Sequence, residues 1–339
     1  MKNVRRYLEI LEGFSGVPIL VVGDLILDHY IWGKVSRISP EAPVVVVNVT
    51  TESRRPGGAG NVANNLLALG AKVGICGLVG DDSDGKELVK QLESQGADGS
   101  GVIVDRTRRT SVKTRVIAQA QQVVRVDRED IHPLEQAACD SLCKTFRAHL
   151  AGTKGVIISD YAKGAISPAL FQIIQQETSK GQLGYRKIPV LVDPKGPNFS
   201  LYSQATIVKP NRSEATLASG IEITDRATAI QAATALLEKW KCEIILITLG
   251  ELGMVLVSKV DGALQTAEID TVARDVYDVS GAGDTVSAVF SLALSAGATP
   301  VEAAELANIA AGIVVAEVGT VAVTAADLKQ AVIELGEAS

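Results

Sequence analysis

From about residue 133 onward the chain alternates short, uninterrupted apolar runs with segments of helical period. The runs at 155–158, 189–192, 206–208 and 243–247 carry no polar interruption inside them. That is how a strand covered on both faces reads. Between and before them, 134–150, 168–180 and 227–239 have helical spacing, and the tail continues as helices at 281–296, 301–317 and 324–335. Parallel neighbours need long crossovers, so this alternation predicts a doubly wound α/β/α sandwich with right-handed connections. Runs at 17–22 and 72–80 add two more buried strands, and 255–259 with 263–269 reads as a late hairpin. Polar residues recur just past the expected strand ends: Asp24, Asp160, Asp193, Asn211, Thr248 and Asp284. Ligands in open parallel sheets bind at that carboxyl edge, so the pattern points to an enzyme or binding protein rather than a scaffold. Asp24 and Asp28 are candidates on this ground, although a helix cap or surface turn would use the same residues.

Two segments break the alternation. Residues 29–52 hold loop-like Trp32-Gly33 and Ser39-Pro40-Glu41-Ala42-Pro43, then a β-rich run from 43 to 49 with no helix after it. Residues 101–104, 110–118 and 121–126 read as strands with turn-length gaps, an antiparallel signal. We expect one domain over 1–339, with a small β-sheet lid assembled from 29–52 and 101–127 over the strand ends. Its cations Arg37, Lys113, Arg115 and Arg125 either face a substrate or lie on a solvated surface. Exposed lid edges that pair between two chains would make a homodimer.

Two glycine-rich stretches lie about 220 residues apart. Asp278-Val279-Ser280-Gly281-Ala282-Gly283-Asp284 stands between a strand-like run (273–279) and a helix of small residues. Glycines at such a turn let a ligand approach the backbone, and the helix start offers unpaired N–H groups and partial positive charge. This is an anion site suited to phosphate. Asp284 would repel a phosphate there unless it serves as the base for an attacking hydroxyl; a plain turn with a macrodipole-friendly carboxylate is the simpler alternative. Gly57-Gly58-Ala59-Gly60-Asn61 opens a second small-residue helix, 62–69, with Asn61 at its mouth. No buried strand leads into it with dinucleotide-binding spacing.

Composition removes other classes. Net charge is −6 and aromatic content 4%, with no basic stretch carrying interleaved aromatics, which argues against nucleic acid. The four cysteines and three histidines form no metal-like pattern, so we expect a reduced, cytoplasmic protein without structural zinc. Arg5-Arg6 has no apolar segment behind it to make a secretory signal, and no apolar run approaches a membrane span.

The two glycine motifs, in this order, resemble the first and second signatures of the ribokinase-like (PfkB) carbohydrate kinases. Asn211-Arg212-Ser213-Glu214 is similar to that family's Asn-x-x-Glu motif, and Thr248-Leu249-Gly250 with Gly253 to its nucleotide loop. The resemblance spans nearly the whole chain. It implies ATP-dependent phosphorylation of a sugar hydroxyl, with Asp284 as base and Gly281, Ala282 and Gly283 as the anion hole. It places Asp28, Gly57, Gly58 and Asn61 on the sugar, and Asn211, Glu214, Thr248, Gly250, Gly253, Gly283 and Asn308 on ATP. Glu214 would hold Mg²⁺ through water, and Asp278 and Ser280 stand where some members hold a monovalent cation such as K⁺.

Residues 23–30, Trp32-Gly33 and 36–43, with Ser159-Asp160-Tyr161-Ala162-Lys163-Gly164 and Asp193-Pro194-Lys195-Gly196, resemble the heptose 7-phosphate kinases within that family. Those enzymes phosphorylate O1 on the way to ADP-heptose for lipopolysaccharide core. The resemblance implies Arg37, Arg125, Lys163 and Lys195 as cations for the substrate's existing phosphate, and Asp24 and Asp160 in the sugar site. Many relatives carry a fused adenylyltransferase, and this chain stops after the kinase, as a stand-alone enzyme or an excised domain. The competing readings are a family kinase for another sugar or sugar phosphate, a Rossmann oxidoreductase using Gly57–Gly60, and a sugar-sensing module that kept the fold.

Overall fold

The computed structural model describes residues 4–119, 121–179, 187–260, 262–272, 279–317 and 321–337. The chain begins α1 (Val4–Glu12), β1 (Pro18–Ile38), β2 (Val45–Gly58), α2 (Ala59–Ala68), β3 (Lys72–Gly80), α3 (Ser83–Ser94) and β4 (Asp98–Asp105). It continues β5 (Ser111–Ala118), β6 (Gln121–Arg128), α4 (Gln136–His149), β7 (Gly155–Ser159), α5 (Pro168–Ser179), β8 (Val190–Asp193) and β9 (Ile207–Val208). It ends α6 (Arg212–Ser219), α7 (Arg226–Trp240), β10 (Ile244–Thr248), β11 (Met254–Val260), β12 (Ala263–Ile269), α8 (Ala282–Ser295), α9 (Pro300–Val314) and α10 (Ala325–Glu337).

The main sheet has the order β12-β11-β10-β9-β8-β7-β1-β3-β4. Strands β4 through β10 along this order are parallel, and β11 and β12 add an antiparallel edge. Side chains on β1 alternate between two cores, as a strand buried on both faces requires. Ile19 and Val21 pack with residues of α1, α2, α8, α9 and α10, and Leu20 and Val22 with those of α4, α5 and α7. This is the three-layer sandwich expected from the alternation. Among the described residues no helix is long and apolar enough to cross a membrane.

The first strand corrects the sequence reading. It does not stop at Gly23-Asp24. Leu25, Ile26 and Leu27 are all buried, so the apolar run passes out of the main sheet without a break. Beyond Asp24 the same strand pairs with β2 antiparallel and β5 parallel, and β6 pairs with β5. These form the lid, in the order β2-β1-β5-β6. Asp24 therefore sits mid-strand, where one sheet hands over to the other, and not at a turn. β2 runs to Gly58 and leads directly into α2, so the glycines of the first motif end a lid strand. Residues 101–104 were expected in the lid, yet they lie in β4, parallel to β3 at the main sheet's edge. Half-buried alternation is the same for an edge strand of either sheet, so the pattern alone did not separate them. The strand-like run expected at 273–279 lies, but for Val279, outside the described residues.

Candidate active site

Helix α8 begins at Gly281, whose φ of 82° is left-handed, and no side chain caps it. A residue with a Cβ would be strained there. The turn points the first N–H groups of the helix, and the positive end of its dipole, into a cleft at the carboxyl edge of the sheet. Asp284 lies in the first turn and is buried. Its Oδ2 accepts a hydrogen bond from Asn61 Nδ2 at 2.7 Å, and its Oδ1 one from the Tyr161 hydroxyl at 2.8 Å. Asn61 is in turn fixed by Asn65, whose Nδ2 donates to the Asn61 carbonyl at 2.9 Å. Thr285 Oγ1 donates to Asn65 Oδ1 at 3.0 Å, closing a polar ladder between α2 and α8.

Burial pushes the Asp284 carboxyl up to about 7, and the charge of Asp193 adds to it. The hydrogen bonds from Asn61 and Tyr161 and the charge of Lys209 pull the other way. A buried carboxyl that titrates near neutrality is matched to taking a proton at working pH. Lys209 is itself buried, with Nζ 3.0 Å from Asp193 Oδ2. A Cβ built on Gly283 would lie 3.5 Å from that Nζ, so the ammonium stands against the helix start. Ser287 Oγ donates to the same Asp193 oxygen at 3.2 Å. Burial raises Asp193, against the pull of Lys209.

The cleft encloses about 720 Å³. Asn211, Glu214, Thr248, Gly250, Gly253, Gly283 and Asn308, drawn from four separate stretches of chain, all line it. Asn211 caps α6 and forms a reciprocal capping box with Glu214, which also accepts from Lys195 Nζ at 2.7 Å. Asn308 Nδ2 donates to the Asp270 carbonyl at 2.7 Å, tying α9 to the end of β12. Met254, Val286, Ala311 and Val315 supply apolar side chains to its lining.

The lid side holds Asp28, buried and ion-paired with Arg115. The Arg115 guanidinium stacks over Tyr30, 5.3 Å from the ring centre. A Cβ on Gly57 would fall 2.2 Å from Asp28 Oδ2, so only glycine admits this carboxylate. Gly58 follows as the last residue of β2. Asp24 and Asp160, expected in the sugar site, accept hydrogen bonds from the loop after β7 and its neighbours. Asp24 accepts from the backbone N–H groups of Tyr161, Lys163 and Ala165 at 2.8, 3.0 and 3.0 Å. Asp160 accepts from Asn198 Nδ2, the Tyr202 hydroxyl and the Ala162 N–H, each at 2.7 Å. Burial, then the Asp160 charge, raises Asp24 to about 6 against those three amides. Both carboxylates hold the loop after β7, and Asp160 also lines the cleft.

The four cations expected on a second phosphate separate. Lys163 pairs with Glu129 at 2.5 Å and Arg125 with Asp127 at 2.9 Å. Both bear on Lys113, which burial and the charge of Lys163, with Arg125 adding, hold below its ordinary pKa. Lys195 instead lines the other cleft, beside Glu214. Arg37 is exposed opposite Val46 near the tip of β1, roughly 30 Å along the strand from Asp28. Ser280 lies in the turn before Gly281, and Asp278 lies outside the described residues. Sequence reasoning passed over Tyr161 and Lys209 as parts of this centre, and named Arg115 only as one of four lid cations. Tyr161 and Lys209 stand directly after strand ends, the one signal that could have flagged them.

The chain is 47% identical to the bifunctional protein HldE of Trichlorobacter lovleyi, over 97% of this chain and 65% of that protein. It is 45% identical to the bifunctional protein HldE of Helicobacter hepaticus, over 92% of this chain and 63% of that one. The chain thus spans somewhat under two thirds of these relatives' length. Phosphofructokinase-2 from Escherichia coli superposes with a TM-score of 0.75, at 19% identity, covering 94% of this chain and 99% of that one. Ribokinase from Arabidopsis thaliana, solved with ribose and ATP, superposes at 0.68 and 19% identity, with the same coverage. These two likenesses establish a ribokinase-like fold. The model of the pfkB family of carbohydrate kinases matches residues 18–326, and the chain belongs to that family.

Proposed function

We propose that this chain is an ATP-dependent kinase acting on O1 of D-glycero-D-manno-heptose 7-phosphate to give the 1,7-bisphosphate. The observation that carries the kinase reading is Asp284, titrating near 7 in the first turn of an uncapped helix whose N–H groups face the cleft. The sugar hydroxyl lies between Asp284 and the helix start. Its oxygen attacks the γ-phosphorus, the bond to the bridging oxygen of ADP breaks, and ADP leaves with that electron pair. The hydroxyl proton passes to an Asp284 oxygen. The amides of Ala282 and Gly283 and the Lys209 ammonium face the charge on the transferred group.

ATP occupies the cleft, its base on the apolar wall by Met254, Ala311 and Val315 and its phosphates toward α8. Glu214 and Asp193 offer hard oxygen donors at the phosphate end. Glu214 and Asp193 would hold magnesium there, where it would neutralise phosphate charge. Ser280, beside the anion hole, is the described member of the K⁺ pair. The sugar binds against Asp28, held in place by Arg115 and Gly57. Its phosphate faces Lys113, Lys163 and Arg125; burial and the charges of Lys163 and Arg125 hold Lys113 below its ordinary value. The heptose reading rests on the resemblance of residues 23–43 and 159–164 to kinases of that substrate. Exposed Val123, Val124 and Val126 on β6, with Val45 and Val49 on β2, supply apolar surface for a homodimer through the lid. Four buried, unpaired cysteines fit a reducing cytoplasm.

Asp284→Asn tests the mechanism. ATP binding, followed by calorimetry, stays within about twofold, and turnover falls roughly 10²–10⁴-fold, the usual worth of a positioned base. Turnover near that of the unaltered enzyme would remove Asp284 from the reaction.

A further inference from the structure

The loop after β7 is held more firmly than a connection needs. Four consecutive or near-consecutive amides, of Tyr161, Ala162, Lys163 and Ala165, donate to the two buried carboxylates Asp24 and Asp160. Ala162 is kept at a φ of 55°, a left-handed conformation that a non-glycine residue adopts only when its surroundings fix it. The product of this latch is one contact, the Tyr161 hydroxyl 2.8 Å from Asp284 Oδ1.

We infer that Tyr161 is a positioning residue that keeps Asp284 ionised and aimed at the substrate hydroxyl. The inference rests on Asp284 being the base. With Asn61 on Oδ2 and Tyr161 on Oδ1, each carboxylate oxygen has a donor and keeps a lone pair for an incoming hydroxyl. The Asn61 nitrogen can only donate. Burial and the charges of Asp284 and Asp193 push the phenol well above its ordinary value, so it stays protonated and keeps its O–H to donate over the working range. The charged groups facing Asp284 are Asp193 from β8, which opposes ionisation, and Lys209 beyond β9, which favours it. From α2 only the neutral Asn61 and Asn65 approach. Tyr161 is thus the donor that the latched loop supplies against the burial cost of the charge.

The test is the pH profile of kcat/KM for three forms of the enzyme. Tyr161→Phe removes the donor and should move the acid limb upward by about one pH unit, as expected for a hydrogen bond to a charged group. Activity should then drop roughly tenfold near pH 6 and return to that of the unaltered enzyme above about pH 9. Site-specific 3,5-difluorotyrosine at 161, a stronger donor of the same shape, should move the limb downward; it also covers a failure of the Phe variant to fold. A limb unmoved in both, with a loss equal at every pH, would make Tyr161 a packing residue and overturn the inference. Asp284→Asn in the same assay separates the two claims. If it keeps turnover, the base assignment falls; if it abolishes turnover while the Tyr161 limbs stay put, only the positioning role falls.

Discussion

Replacing Asp284 with asparagine should destroy activity and strengthen the fold, and the second effect has a definite pH dependence. The native carboxyl titrates at about 7 instead of 3.8 because it is buried, near the charge of Asp193. Between those two values the folded protein holds a proton that the unfolded chain has released. Stability therefore falls as pH rises through this window and levels off above about 7. The shift of roughly three units corresponds to about 4 kcal/mol, at 1.36 kcal/mol per unit. Asparagine is neutral throughout and of the same shape. Its Oδ1 still accepts from Asn61, and its amide can donate to the Tyr161 oxygen. The Asn variant should accordingly gain over the unaltered protein as pH rises from about 4 to 7, reaching up to about 4 kcal/mol and staying there at pH 8. Asp24, raised to about 6, titrates in the same direction, but it is present in both proteins and cancels in the difference. Urea unfolding of both forms at a series of pH values measures the gap. A gap that is flat with pH, or one that narrows toward pH 8, would refute the claim that a charge is held here at a cost.

Two further substitutions probe the neighbouring groups. Lys209→Met leaves Asp193 buried without its cation and takes a positive charge from the helix start; unfolding should show a loss of about 3–5 kcal/mol. Turnover should fall roughly 10²–10³-fold with ATP affinity less affected, and a variant as stable and active as the original would mean the pair is idle. Gly57→Ala places a methyl 2.2 Å from Asp28 Oδ2, so steady-state kinetics should show KM for the sugar rising at least about tenfold, near the lower end of what one misplaced polar contact costs, while KM for ATP holds; equal change in both would place Gly57 in the fold alone.

The layered architecture was legible because buried parallel strands leave uninterrupted apolar runs, and the runs at 155–158 and 243–247 became β7 and β10. That Asn211, Glu214 and Gly253 line one cleft was foreshadowed by the resemblance, since each belongs to a short local motif whose geometry is set within a few residues. The lid was less so. Asp24 looked like a strand end because a Gly-Asp pair usually marks one, but the burial of Leu25–Leu27 carries β1 through it. Long-range contacts left no local trace. Asn61 reaches Asp284 across 223 positions and Arg115 reaches Asp28 across 87, and no spacing rule links them. Cations were the least legible, since charge alone does not say which cleft a side chain enters. Lys195 turned to Glu214, and Arg37 lies far out on the lid.

The central claim is tested by coupled ADP release with Mg·ATP and D-glycero-D-manno-heptose 7-phosphate, run beside fructose 6-phosphate, ribose and 2-keto-3-deoxygluconate. The account predicts turnover with the heptose phosphate and little with the other three. Turnover confined to another of these sugars would contradict the substrate assignment while keeping the Asp284 chemistry, and silence with all four would contradict the proposed activity.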